Sequence, residues 1–427
     1  MNLPYRVAAS VFHRVPLPPG KLARSRDGRL GAAARWVRWA RESRRAGPLI
    51  WVHGASAGEV QVTAPIVMRL RARYPSMQIV QTYSSSSMAD WPLPAGIDRA
   101  DYAPAEHPVA ATDVCQSLRP WAIVVSRGDL WPQMVLAALN HRVPVAVVGA
   151  TMRPGSRRLR WPVRVLLRPI HARLAFVGAV GAADARRWIQ SGAPETAVSV
   201  TGDPRDDHVL ERVTELRDIQ PILDWAAPGA TLVAGSTHPR DDQVLLEALA
   251  RVIRAKPAAR LLLVPHDAGA EPVRRTQARA ARLGIRAERW DGSAQPGDVS
   301  VLVVTRAGLL ADLYTAGTMA YVGGGFDAAG LHSLAEPAAL GLPILVGPAA
   351  HHDGFAKPFL EVGGAVAFDG RDGPRGLATT WMEWIEHPSR RSAVGMEARS
   401  RLTRGAASAT LARLEPFLGK DPWADAK

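Results

Sequence analysis

The feature that most constrains the fold is an alternation of short apolar runs with longer segments of helical periodicity, and it occurs twice. In the first half of the chain, the segments between the runs, such as 59–74 and 133–140, have apolar residues at helical spacing. Uniformly apolar runs of this length are typical of strands buried on both faces of a parallel sheet. The predicted strands are 48–53, 78–82, 122–126, 143–148, 231–234, 260–264, 299–304, 319–322 and 343–346.

Strands that alternate with helices predict doubly wound α/β domains, in which ligands bind at the carboxyl ends of the strands. A chain of 427 residues suits two such domains of about 200 residues each. We therefore predict two Rossmann-like domains that face a cleft, with a boundary near 202–225. The predicted parts are a basic amphipathic segment at 1–48, domains at 49–205 and 206–405, and a helix with a polar tail at 406–427.

The formal net charge of +14 comes almost entirely from arginine, whose guanidinium group pairs well with phosphates and carboxylates. Arginines are concentrated in residues 1–48, against only Asp27 and Glu42, and again in 153–173. Such patches suit nucleic acid, an anionic membrane or acidic small molecules, and an ordinary solvated basic surface explains them equally well.

The single cysteine, Cys115, excludes an internal disulfide and a multi-cysteine metal site, and it suits a reducing cytoplasm. No stretch approaches the roughly 18 apolar residues of a transmembrane helix. The early apolar run at 7–12 is short and flanked by Arg6 and Arg14, unlike a signal peptide. We expect a cytosolic protein that is able to lie on a membrane.

The first candidate site is HGASAGE at 53–59, directly after a predicted strand. Small residues between a strand and a helix let a ligand approach the backbone and the N–H groups of the helix N-terminus. Glu59 falls in the first helical turn, where a carboxylate also complements the helix dipole. The functional interpretation is a general base within reach of an acceptor hydroxyl.

The second candidate is SRGDLWP at 126–132, also at the end of a predicted strand. Asp129 is either a helix cap or a carboxylate at the same edge as Glu59, where it would tune the pKa of Glu59 or bind the acceptor. Trp131 is expected in the core.

Two further candidates lie in the second half. In GSTHP at 235–239, Ser236 and Thr237 offer hydroxyls and N–H donors suited to a phosphate or a ribose, although a plain helix cap has the same pattern. The other is YVGGGF at 321–326, followed by GLHSLAEPA at 330–338 and GLPILVGP at 341–348. Glycines there permit positive φ and close passage of an anionic group, and Glu336 is placed to bind ribose hydroxyls.

Together with LLLVPHD at 261–267 and GLLADLY at 308–314, these blocks resemble those of the bacterial 3-deoxy-D-manno-octulosonic acid (Kdo) transferases, in the same order from about residue 49 to 365. The resemblance implies an α/β fold of the GT-B type and an inverting, metal-independent transfer from CMP-Kdo to a lipid A precursor in lipopolysaccharide synthesis, without a cofactor. It implies a peripheral protein on the cytoplasmic face of the inner membrane. The partners are then CMP-Kdo, the lipid A precursor and an anionic membrane surface, with no nucleic acid.

The resemblance also implies roles for individual residues. Glu59 would be the base, with Asp129 as a second catalytic carboxylate. The acceptor would contact His53, Ser56, Gly58 and Arg127. The nucleotide sugar would be bound by Ser236, Thr237, His266, Gly323, Gly324, Gly325, His332 and Glu336.

Several positions depart from the family pattern. The acidic ExELWP block reads RGDLWP at 127–132 and keeps only its second acid, as Asp129. The VPRH block reads VPHD at 264–267, so His266 stands in for a phosphate-binding arginine. The asparagine of GGHN is Ser333, and the N-terminal hydrophobic anchor is an arginine-rich amphipathic stretch.

Three alternatives stay open. One is another enzyme of the same fold, a UDP-sugar transferase or a non-hydrolysing epimerase, and another is a repurposed relative without this activity. The third, a nucleic-acid-binding protein that uses the basic clusters, lacks interleaved aromatic residues and a known binding module.

Overall fold

The computed structural model describes residues 20–89, 95–227, 230–292, 295–326, 330–368 and 372–424. The chain forms two compact units, one of Met1–His208 with Thr403–Lys427 and the other of Val209–Leu402. Residues 1–19 of the predicted basic segment lie outside the described residues.

The first unit contains a seven-stranded parallel sheet in the order β3-β2-β1-β4-β5-β6-β7. Its strands are β1 Leu49–His53, β2 Gln78–Tyr83, β3 Arg99–Tyr102, β4 Ala122–Ser126, β5 Val145–Ala150, β6 Phe176–Ala179 and β7 Val198–Val200. The helices that accompany them are α1 Lys21–Arg29, α2 Ala32–Ser43, α3 Ala57–Arg73, α4 Pro108–Leu118, α5 Pro132–Asn140, α6 Val163–His171 and α7 Ala182–Gln190. The chain passes to the second unit within α8, Pro204–Arg212.

Strand β1 shows why the apolar runs are uninterrupted. Leu49 and Trp51 pack into one hydrophobic cluster, whereas Ile50 and Val52 pack into another. Since successive side chains of a strand point to opposite faces, the two clusters lie on opposite faces of the sheet. Every position of β1 is buried, as expected for a central parallel strand covered by helices on both sides.

The second unit repeats this architecture with a parallel sheet in the order β10-β11-β9-β8-β12-β13-β14. Its strands are β8 Thr231–Thr237, β9 Arg260–Pro265, β10 Ala287–Trp290, β11 Val301–Val304, β12 Met319–Val322, β13 Ile344–Val346 and β14 Ala365–Ala367. Its helices are α9 Gln220–Trp225, α10 Pro239–Ala255, α11 Ala270–Arg282, α12 Leu310–Leu313, α13 Ala335–Ala339, α14 Lys357–Glu361, α15 Gly373–Glu386 and α16 Pro388–Ser400.

The chain then returns to the first unit. Helix α17, Ala406–Leu418, packs its buried leucines Leu411 and Leu414 into the cluster that contains Val62 and Ile66 of α3. The preceding turn is held by Asp207, whose carboxylate accepts N–H groups from Gly405 and Ala407, both at 2.6 Å.

All nine predicted strands are confirmed within a few residues, as are the two predicted helices and the terminal helix. The sequence missed β3, β6, β7, β10 and β14, which have three or four residues each. Within the described parts of the chain, no helix has both the length and the apolarity needed to cross a bilayer.

Candidate active site and nucleotide site

In the first unit, the candidate residues lie at a topological switch point of the sheet. Strands β1 and β4 are neighbours, yet β1 continues to β2 on one side and β4 to β5 on the other. The loops that leave such a pair of strands diverge and open a crevice at the carboxyl edge. One of these loops carries Glu59 and the other carries Asp129.

Glu59 lies in the first turn of α3, and its Oε2 accepts the N–H of Ala55 at 2.6 Å. Burial raises the pKa of Glu59, and the nearby charge of Asp129 raises it further, although the bond from Ala55 opposes them. A helix N-terminus favours the charged form of a carboxylate, but here the pKa is raised despite that position. A carboxylate of raised pKa is suited to accept a proton near neutral pH.

Asp129 is tied into a hydrogen-bonded chain that begins in the sheet. The fully buried His53 contacts Thr82 Oγ1 through Nδ1 at 2.9 Å and Asp129 Oδ2 through Nε2 at 3.2 Å. The indole N–H of Trp131 donates to the same oxygen at 2.9 Å. Burial opposes ionisation of Asp129, but the bonds from His53 and Trp131 outweigh it, so the pKa of Asp129 is lowered. Asp129 is not the helix cap, because α5 begins at Pro132 with Trp131 at the N-cap.

The other residues predicted to contact the acceptor have different surroundings. Arg127 takes a left-handed φ of 55° and donates to Asp203 Oδ2 at 2.6 Å, so its guanidinium group has a protein carboxylate as partner. Ser56 is the N-cap of α3, and its hydroxyl makes no capping bond. Gly58 is exposed, and a Cβ there would meet open space.

Arg158, which is not among the predicted site residues, lies beside this group. A Cβ on Gly128 would come within 2.8 Å of Arg158 Nη1, so the glycine gives the guanidinium group room. Burial lowers the pKa of Arg158, and the charges of Asp129 and Glu59 oppose that effect. The arginine run at 153–173 contained this residue, but no pattern distinguished it from its neighbours.

In the second unit, the candidate residues again follow a pair of neighbouring strands at a switch point, here β8 and β12. The GST turn closes β8 with Ser236 at a left-handed φ of 53°, and the glycine loop begins directly after β12. A Cβ on Gly323 would lie 2.2 Å from the Ser236 carbonyl oxygen, and one on Gly325 would lie 2.5 Å from the N atom of Gly347. The glycines therefore let three backbone segments pack directly on one another.

Two of the three loop N–H groups are used inside the protein. That of Gly323 donates to the Gly235 carbonyl at 2.9 Å, and that of Gly324 donates to Asp241 Oδ2 at 2.9 Å. They are therefore not free to bind a ligand in this structure. Asp241, which is not among the predicted site residues, also accepts the Tyr321 hydroxyl at 2.5 Å and the His238 N–H at 2.8 Å.

A cavity of about 310 Å³ brings together three of the predicted nucleotide-binding residues, Ser236, His332 and Glu336. Burial raises the pKa of Glu336, while Arg212, which also lines the cavity, opposes the shift. Thr237 and His266 line a second cavity of about 580 Å³, together with His238. The two sets are adjacent, because His332 Nε2 lies 3.2 Å from His238 Nε2.

Comparison with known proteins agrees with these features. The sequence model of the family described as 3-deoxy-D-manno-octulosonic-acid transferase (kdotransferase) matches residues 26–208. A 3-deoxy-D-manno-octulosonic acid transferase of Bordetella pertussis is 30% identical over 388 residues, which are 87% of each chain. Its counterpart in Chlamydia muridarum is 27% identical over 336 residues, 75% of each chain.

Solved structures with this fold include the UDP-GlcNAc 2-epimerase of Neisseria meningitidis bound to UDP-GlcNAc, with a TM-score of 0.64 and 15% identity over 86% of this chain and 100% of that one. MurG of Acinetobacter baumannii has a TM-score of 0.55 and 13% identity over 86% of this chain and 99% of the other. At these identities the likeness shows the fold alone. The fold is of the GT-B type, and the chain belongs to the 3-deoxy-D-manno-octulosonic acid (Kdo) transferase family of glycosyltransferases.

Proposed function

We propose that the protein transfers Kdo from CMP-Kdo to a lipid A precursor with inversion at the anomeric carbon, and that Glu59 is the general base. Membership of the Kdo transferase family supports Kdo as the transferred sugar. The observation that carries the role of Glu59 is its raised pKa at the switch point, beside the hydrogen-bonded carboxylate of Asp129. The displacement needs no cofactor, since CMP-Kdo supplies the activated sugar.

In the proposed step, the acceptor oxygen attacks the anomeric carbon of Kdo while its proton passes to the Glu59 carboxylate. The bond from that carbon to the phosphate oxygen breaks, and CMP leaves with the electron pair. Asp129 holds His53 in place through their 3.2 Å contact and raises the pKa of Glu59. Arg158 would balance the two negative charges, and His53, Ser56, Gly58 and Arg127 would line the acceptor side.

On the donor side, the cavity residues are proposed to bind the nucleotide. Glu336 would accept hydrogen bonds from the ribose hydroxyls, while Ser236, Thr237, His266 and His332 would contact the phosphate, an electrostatic role. Gly323, Gly324 and Gly325 would shape the site, and the first two would not donate to the phosphate because their N–H groups are already used.

The test of the base is Glu59→Gln, which preserves size while removing the proton acceptor. General-base assistance contributes about 10²- to 10⁴-fold to a rate, so transfer from CMP-Kdo generated in situ should fall by that factor with CMP affinity unchanged. The matched control is Glu195→Gln, an exposed glutamate of the same unit. Near-normal transfer by Glu59→Gln would remove Glu59 from this role. Binding of UDP in preference to CMP would favour another GT-B enzyme.

The acceptor is proposed to be reached from the cytoplasmic face of the inner membrane. Trp161 is 80% exposed and Val165 57% exposed, and both line an apolar cavity of about 430 Å³ with Leu166. The surrounding arginines of 153–173 supply charge that complements anionic lipid, at about 1 kcal/mol for each residue near the surface.

We expect vesicles with anionic lipid to bind the protein more tightly than neutral vesicles, and added salt to weaken that binding. Replacement of Arg160 and Arg164 by Gln should reduce binding by about 30-fold, because about 1 kcal/mol for each arginine is about 2 kcal/mol in total. Binding that ignores both lipid charge and salt would contradict the proposed orientation on the membrane.

A further inference from the structure

Three histidine side chains converge in the second unit, each from a loop that follows a different strand. His238 directly follows β8, His266 directly follows β9, and His332 lies beyond the glycine loop after β12. Since β9, β8 and β12 are consecutive in the sheet, their carboxyl ends deliver the three rings to one place.

The nitrogen atoms have the spacing of metal ligands. One ring nitrogen from each histidine lies within 4.8 Å of those of the other two. The Nε2 atoms of His238 and His332 are 3.2 Å apart. Two imidazole nitrogens on a tetrahedral Zn²⁺, each at about 2.0–2.1 Å from the ion, are about 3.3 Å apart. The observed pair therefore already has close to the separation that a shared ion requires.

Hydrogen bonds hold two of these loops in a fixed arrangement. The buried carboxylate of Asp241 accepts both the His238 N–H and the Gly324 N–H, so one side chain joins the loop of His238 to the glycine loop. The His332 N–H in turn donates to the Gly323 carbonyl at 3.3 Å. A hydrogen bond between His238 and His332 accounts for one close pair of rings, but it does not account for the third ring at the same centre.

We propose that His238, His266 and His332 bind one divalent transition-metal ion, with Zn²⁺ as the best fit. Imidazole nitrogen suits Zn²⁺, Cu²⁺ and Ni²⁺, whereas Mg²⁺ and Ca²⁺ prefer oxygen. Three protein ligands leave a fourth position for water or for an oxygen of a bound anion. The family resemblance implies no metal, so this site is not among the predicted ones. His266 and His332 are also the residues proposed to contact the donor phosphate, so with the ion bound a phosphate oxygen would take the fourth position instead of bonding to these two rings. No step of the proposed displacement is assigned to the ion, and the site itself does not depend on which nucleotide the protein binds.

The test measures Zn²⁺ binding alone, without any activity. Full-length protein without a histidine tag is stripped with a chelator and titrated with Zn²⁺ by calorimetry, and metal content is checked by mass spectrometry. We expect one equivalent to bind. His266→Gln should weaken binding by more than the roughly 10- to 100-fold that the loss of an outer-shell partner costs. His266 is exposed, so this change is not expected to disturb folding.

The matched control is His352→Gln, an exposed histidine of the same unit outside the cluster, which should leave Zn²⁺ affinity unchanged. Replacement of Zn²⁺ by Co²⁺ adds a visible absorption signature of tetrahedral nitrogen ligation, which His332→Gln should abolish while circular dichroism shows an intact fold. The proposal is overturned if wild-type protein binds no stoichiometric Zn²⁺, or if His266→Gln and His332→Gln bind it as wild type does.

Discussion

Replacement of Asp241 by alanine should destabilise the second unit much more than replacement of its neighbour Asp242. Asp241 is fully buried and accepts hydrogen bonds from the Tyr321 hydroxyl, the Gly324 N–H and the His238 N–H. A buried donor left without its acceptor costs about 1–3 kcal/mol. The bonds to Tyr321 and Gly324 are buried, so the loss of these two gives about 2–6 kcal/mol. The His238 bond lies beside a cavity that admits water and adds less.

Urea unfolding measures this loss. With a slope of about 2 kcal/mol/M, a loss of 2–6 kcal/mol lowers the midpoint of the second unit's transition by about 1–3 M. Since two units can unfold in separate steps, hydrogen exchange of a peptide spanning the glycine loop provides a local reading. The Gly324 N–H should exchange slowly in wild type and rapidly in the variant.

Two further variants make the reasoning refutable. Asp241→Asn retains an oxygen for the two N–H groups and can donate its amide to Tyr321, so it should cost much less than alanine. Asp242→Ala, on the same helical turn, removes interactions with the hydroxyls of Thr237 and Thr276, the latter a hydrogen bond of 2.7 Å, but both threonines line a cavity that admits water. It also removes a carboxyl group whose pKa is raised by burial. If Asp242→Ala lowers the midpoint as much as Asp241→Ala does, the argument from Asp241's hydrogen bonds is wrong.

Two other predictions concern titratable groups in the first unit. Asp129→Asn removes the negative charge that helps to raise the pKa of Glu59, so that pKa should fall. The acid limb of the pH profile of the transfer rate should then move to lower pH. An unchanged acid limb would show that the charge of Asp129 does not affect the pKa of Glu59. Cys115 is fully buried and its pKa is raised to about 12, so a thiol reagent should leave native protein unmodified and react once the protein is unfolded in urea, whereas rapid reaction with native protein would show that its helix opens readily.

The central strands were predictable because burial on both faces leaves an uninterrupted apolar run, as in β1, where all five positions are buried. The missed strands lack that signal. Strand β3 reads RADY, and β7 has three residues, none of them fully buried. Strand β6 is buried, but its four residues are too few to separate from a loop. The return of α17 to the first unit follows from packing on α3, which no local pattern encodes.

The candidate sites were predictable as motifs, but their contacts were not. Glu59 and Ser236 follow apolar runs, so the sequence alone places them at the carboxyl edge of a sheet. Which loops meet there depends on strand order. The neighbours of β8 are β9 and β12, and only that order brings His266 and His332 to His238. Asp241 has one local partner, the His238 N–H, but its bonds to Tyr321 and Gly324 join segments distant in sequence, and so do the interactions of Arg158 with Glu59 and Asp129.

The two carboxylates of the first unit are distinguished by their surroundings, and this difference decides which of them is proposed as the base. Asp129 accepts bonds from His53 and Trp131 that stabilise its charged form, and its pKa is lowered, so protonation there would forfeit those bonds. Burial and the charge of Asp129 both disfavour the ionised form of Glu59, so protonation of Glu59 removes both unfavourable interactions. Environments that push two pKa values apart assign different roles to chemically similar groups. Glu59 is therefore the group suited to accept the acceptor's proton, and Asp129 the one suited to remain ionised beside it.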